Sequence, residues 1–97
     1  MINYNNMENQ VLIDKLDEIA QNLSIKVIRD KNLRNKGGFC RYRDKFYLII
    51  KNKITLEDKI KLYTEAISKV LPEDYYVIPV IRDLIEKERK KEILSNE

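Results

Sequence analysis

Apolar positions recur at helical spacing near both ends of the chain and at strand spacing between them. Leu12, Leu16, Ile19, Ala20 and Leu23 step by three and four residues and form one apolar stripe, with Asp14, Lys15, Asp17 and Glu18 mostly off it. This predicts a first helix that starts near Asn5 or Asn6, either of which can cap it. Asn22 and Ser24 suit its end. The β-branched run Ile25-Lys26-Val27-Ile28-Arg29 predicts a strand. Asp30 to Lys36 is polar and without apolar periodicity, so it reads as a loop, and Gly37-Gly38 then permits backbone angles that other residues resist.

Gly38 to Arg43 and Phe46 to Lys51 predict a hairpin turning at Asp44-Lys45. A two-residue turn favours Gly or Asn at its second position, which Lys45 does not supply. A three-residue loop through Phe46 would pair Tyr42 with Leu48 and Cys40 with Ile50. That register turns Cys40 and Tyr42 inward and leaves Arg41, Arg43, Tyr47 and Ile49 on the other face. A slip of one residue exchanges the faces.

Thr55 followed by Asp58 resembles a capping box for a second helix over Leu56 to Val70. Its expected buried stripe is Leu56, Ile60, Tyr63, Ile67 and Leu71, with Leu62, Ala66 and Val70 alongside, and Pro72 stops it. Tyr75 to Ile78 reads as extended. Pro79 is well placed to open a third helix anchored by Val80, Ile81, Leu84 and Ile85. Every residue from Glu86 to Glu92 is charged, so that stretch is a solvated helix end or a tail. The expectation is one α+β domain over residues 1–86, a three-stranded antiparallel sheet covered by about three helices in the order helix-strand-strand-strand-helix-helix, with a charged end over 87–97. No internal repeat is visible.

Composition narrows the chemistry. With 97 residues, one domain with a modest core is the prior. One cysteine precludes an internal disulfide, and the absence of histidine removes the usual base and the usual metal ligand. Cysteine hydrolysis lacks its imidazole. One thiol without histidine makes no ordinary zinc site, and neither Glu57-Asp58 nor Glu73-Asp74 has calcium-loop spacing. The amino terminus lacks a basic and an apolar leader region, and no apolar run reaches the ~20 residues of a membrane span. The expectation is a cytoplasmic protein with no cofactor.

The net charge of +3 is unevenly spread. Residues 26–53 hold ten Lys and Arg against Asp30 and Asp44, whereas both flanks are acidic. Such a field attracts phosphates or acidic protein faces. Candidate binding residues are Arg29, Arg34, Lys36, Gly37, Gly38, Arg41, Arg43, Lys45 and Tyr47, and Cys40 is a candidate reactive thiol because guanidinium groups favour the thiolate. The plainer reading of Gly37 to Arg43 is a glycine bend opening a hairpin, with Cys40 as a small buried hydrophobe. No phosphate-loop pattern supports more, since these glycines lead into a strand. The leading expectation is a non-enzymatic module docking an acidic protein through the basic hairpin. The alternative is RNA or single-stranded DNA binding, with Tyr42 and Tyr47 as stacking aromatics. Open sheet edges make a homodimer a further expectation.

The runs Lys36 to Arg41, Tyr47 to Ile50, Leu56 to Ile60 and Ile78 to Arg82 resemble a small bacterial family of uncharacterised proteins, a resemblance that supplies no function. More distantly, a short antiparallel sheet leading into a helix resembles the minimal zincin domain of the ImmA/IrrE type. There the helix carries His-Glu-x-x-His. The comparable segment here is Thr64-Glu65-Ala66-Ile67-Ser68, which keeps the glutamate but neither imidazole. The resemblance therefore implies a relative without metallopeptidase activity.

Overall fold

The computed structural model describes residues 8–95. The elements are α1 (Asn9–Asn22), β1 (Ile25–Asp30), β2 (Gly37–Tyr42), β3 (Lys45–Lys51), α2 (Leu56–Val70) and α3 (Pro79–Ser95). This is the expected α+β class with three helices and three strands. The cap expected at Asn5 or Asn6 lies outside the described residues. Glu8 precedes α1 in extended conformation and makes no side-chain cap.

The sheet departs from the expected one. Its order is β1-β3-β2, and β1 runs parallel to β3, while β2 is antiparallel to it. The sheet is therefore mixed, not purely antiparallel. Sequential strands usually pair, which favours β1 beside β2. Here the most apolar strand, Phe46 to Ile50, takes the centre, and the strands carrying Lys26 and Arg29 or Gly37, Gly38 and Arg41 take the edges. The loop over residues 31–36 crosses the carboxyl end of β3 to connect them. It is pinned by the Asn52 amide donating to the Asp30 carbonyl (3.2 Å) and the Lys51 amide donating to the Lys36 carbonyl (2.9 Å).

The hairpin register is also corrected. Tyr42 pairs with Lys45, Arg41 with Phe46, Cys40 with Tyr47 and Phe39 with Leu48. The connection is a two-residue turn, Arg43-Asp44, with both φ angles positive at 50° and 65°. Positive φ at both central residues is the mirror-image turn whose twist matches that of the strands. Asp tolerates this conformation; Arg is an unusual occupant. The consequence is an exchange of faces. Cys40 and Tyr42 point outward and are exposed, and Arg41 falls in the inward register.

Leu48 and Ile50 of β3 and Ile25 of β1 are buried on the inner face. The helices cover that face, with α1 packing on β1 and α2 on β2 and β3. Helix α2 is the hub, because it lies between α1 and α3 as well. Its Tyr63, Ala66 and Ile67 are buried with Leu16 and Ala20 of α1 and Ile81 and Ile85 of α3 in one cluster. Leu56, expected inside, is exposed at the start of α2. Thr55 caps that helix, its hydroxyl accepting from the Asp58 amide at 3.1 Å. At the other end Arg89 donates to the carbonyls of Ser68 and Leu71. A guanidinium thus satisfies carbonyls that a helix terminus leaves unpaired. The charged run beyond Glu86 is helical and is held to α2 by this bond and by the Lys69–Glu92 pair at 3.2 Å. Among the described residues no helix is long and apolar enough to cross a membrane.

The two glycines differ sharply. Gly37 has φ of +129°, and a Cβ there would lie 2.0 Å from the Ile49 carbonyl oxygen, whereas one on Gly38 would meet nothing within 4 Å. Gly37→Ala should therefore lower stability by at least ~1–3 kcal/mol, as strained backbone and a clash both act. Gly38→Ala should change it by no more than about 1 kcal/mol. Chemical denaturation of the two variants checks the contrast.

Candidate functional site

Alternation along the strands sorts the outer face of the sheet. It carries Lys26, Ile28 and Asp30 from β1, Lys45, Tyr47, Ile49 and Lys51 from β3, and Gly38, Cys40 and Tyr42 from β2. The described helices pack on the opposite face, so among the described residues no helix covers these side chains. Tyr42 is 57% exposed and Ile28 37%, and Cys40 is exposed, while Tyr47 and Ile49 are half-buried among their neighbours. The centre is a strip of Ile28, Ile49, Tyr47 and Cys40, and Lys26, Lys45 and Lys51 rim it.

The expected basic residues do not form one patch. Arg41, Arg43 and Lys45 gather at the hairpin tip. Lys36, Gly37, Arg34 and Arg29 lie at or near the other end of the sheet, about 20 Å away at the rise of a six-residue strand. At the tip, the Arg41 guanidinium donates to the Asp44 carboxylate at 3.3 Å and lies over the Phe46 ring, 5.8 Å from its centroid. Both partners of that ion pair are exposed, so it contributes at most about 1 kcal/mol, but it partly neutralises the arginine. Arg43 lies over the Tyr42 ring at 5.2 Å. At the far end Lys36 pairs with Asp58 of α2 at 2.9 Å. That ammonium holds the Asp58 carboxyl below the usual carboxylate range, against a desolvation cost that pushes it up. Gly37 serves the close approach of β2 to β3, and its amide donates to the Asn35 side chain at 3.0 Å rather than facing an open anion nest.

Arg29 is on the inner register, level with Ile50, and opens into a cleft of about 120 Å³ between α1, α2 and the strand ends. The cleft also receives Asp14 and Asp17 from α1 and Lys59 and Tyr63 from α2. The Tyr63 hydroxyl donates to Asp17 at 2.6 Å, and burial, then this bond, pushes the phenol pKa above the ordinary tyrosine range. The sequence shows Tyr63 only as a member of the apolar stripe. The available signal is general: a buried tyrosine hydroxyl needs a partner. The position of Arg89 carries no such signal, because only the packing of α3 brings it to the end of α2.

Within α2, Thr64 and Ser68 are buried and spend their hydroxyls on their own helix, donating to the Ile60 and Glu65 carbonyls at 2.7 Å each. Among the described residues no group of three or more His, Cys, Asp or Glu side chains could hold a metal ion.

The raised Tyr63 pKa has a definite sign. The protonated phenol is the bonded form, so its stabilisation is complete below the unfolded value of 10.0 and is lost as pH rises beyond it. Tyr63→Phe should cost ~1–3 kcal/mol at pH 7, since a bond to a charged acceptor is removed. The gap between wild type and variant should narrow above pH ~10. Denaturation curves across that range measure both effects.

Comparison with protein-family models, with curated proteins and with solved structures returns no match.

Proposed function

We propose that this chain is a non-enzymatic, cytoplasmic binding module that docks an acidic protein on the open outer face of its sheet, at the hairpin end. The observation that carries the reading is the composition of that face: an apolar and aromatic strip over Ile28, Ile49 and Tyr47, rimmed by Lys26, Lys45 and Arg43. Protein interfaces combine a desolvated apolar centre with a polar rim, and complementary charge there speeds and orients encounter. The basic rim selects acidic partners. The tip arginines play unequal parts. Arg43 has no carboxylate partner among the described residues, whereas Arg41 is paired with Asp44. An exposed lone thiol suits a reducing compartment. The open edges β1 and β2 leave room for a second copy as well.

A second reading, single-stranded nucleic acid, draws on one observation. Tyr42 projects from the open face with a guanidinium stacked on it, and such a ring can take a base. It is the weaker reading because Tyr47, the other aromatic of the face, is half-buried.

Affinity purification from the native cell, with and without nuclease, separates the two. Nuclease-resistant recovery of a defined protein is expected. Arg43→Glu with Lys45→Glu should weaken that recovery by about tenfold or more at low salt, as like charges then face the partner, with an unchanged circular dichroism spectrum. Equal recovery by the folded variant overturns the docking surface. Nuclease-sensitive recovery, together with a steep fall of oligonucleotide affinity with salt, selects the second reading.

A further inference from the structure

The cleft between α1 and α2 lies at the end of the sheet away from the hairpin tip, shares only Lys51 with the rim of the outer face, and carries its own chemistry. Its lining holds both signs of charge, Asp14 and Asp17 from α1 with Arg29, Lys51 and Lys59, and Asn52 borders it beside Lys51. Internal bonds are shared unevenly between them. Asp17 is satisfied twice, accepting from Tyr63 on Oδ1 (2.6 Å) and from Gln21 on Oδ2 (2.6 Å). Asp14 accepts from Gln10 on Oδ1 alone (3.0 Å). Among the described residues Arg29, Lys51 and Lys59 make no side-chain hydrogen bond or ion pair.

Position shows that these groups face one space. Arg29 is on the inner face beside Ile50, which lines the cleft. Lys59 precedes Tyr63 by one helical turn, so both project from the same side of α2. Asp14 and Asp17 are likewise neighbours on α1. Three cations without carboxylate partners among the described residues, Arg29, Lys51 and Lys59, therefore line the same cleft as a buried phenol and a carboxylate that is only half engaged. The volume of about 120 Å³ is too small for a nucleotide or a folded peptide segment and suits a ligand of a few heavy atoms. A simple anion would approach Asp14, and a simple cation would approach Arg29, Lys51 and Lys59. A ligand with both charges finds an opposite partner at each end.

We propose that this cleft binds a small zwitterion of the α-amino acid class, its carboxylate held by Arg29 and Lys59 and its ammonium by Asp14. A guanidinium offers the carboxylate a two-pronged donor, and charge-assisted bonds are the stronger kind. The proposal does not depend on the docking reading, since no residue of the tip takes part in it.

Titration of the isotope-labelled full chain, followed by amide chemical shifts, tests it. The probes are glycine, L-alanine and L-serine, with acetate, methylamine and inorganic phosphate as single-sign controls. Saturable shifts at Asp14, Arg29 and Asn52 are expected with at least one amino acid and with none of the controls at the same concentration. Arg29→Gln and Asp14→Asn replace exposed side chains, and each should weaken binding by about tenfold or more while leaving the rest of the spectrum in place. The proposal is overturned by the absence of saturable shifts with all three amino acids. It is equally overturned by acetate or phosphate reproducing them, which would make the cleft a plain anion site.

Discussion

Everything in this domain follows from the need to bury β3. Five consecutive apolar residues, Phe46 to Ile50, cannot remain at a sheet edge with one side of the backbone in water. Placing that strand centrally pairs its backbone on both sides and sets Leu48 and Ile50 under α2. The cost is topological. Strand β1 and strand β2 cannot then be neighbours, and the chain must cross the end of β3 between them. The loop over 31–36 makes that crossing with its ends pinned to residues 51 and 52. Gly37 completes it, because β2 meets the β3 backbone so closely that a side chain would not fit.

Polar bonds then fix the helices on this sheet at three points along α2. At its start, Thr55 caps the helix and Asp58 is drawn to Lys36 of the crossing loop. In its middle, Tyr63 reaches Asp17 of α1. At its end, Arg89 of α3 binds the last carbonyls. Each bond satisfies a group that burial or helix geometry would otherwise leave unpaired. The same arrangement creates the two surfaces proposed for binding. Among the described residues the helices occupy one side of the sheet and leave the other open, and the gap between α1 and α2 at the strand ends becomes the mixed-charge cleft.

Helix positions were legible in the sequence because their signals are local. The stripe at three- and four-residue steps, Thr55 before Asp58, and prolines 72 and 79 act within a turn or two of themselves, and α2 and α3 begin at Leu56 and Pro79 as those signals direct. The concentration of basic residues in 26–53 was equally visible. Its meaning was not, because charge along a chain does not state which end of a strand a residue occupies. Arg29 and Arg43 are close in sequence terms but lie at opposite ends of the sheet, and Lys36 is engaged by a carboxylate 22 positions later.

The hairpin marks the same boundary. Its two strands follow from β-branched and aromatic runs, but period-two alternation alone does not choose between registers an odd number of residues apart, such as Cys40 opposite Ile50 and the observed Cys40 opposite Tyr47. The choice rests on which face α2 covers, and the turn follows from that choice even though it places Arg43 at positive φ. Local patterning therefore determined the helices, the strands and the α+β class. Strand order, the outward aim of Cys40 and Tyr42, and the meeting of Asp14, Arg29 and Lys59 were decided only in three dimensions. Those outcomes depend on contacts between residues distant along the chain, where packing outweighs the preferences of any short segment.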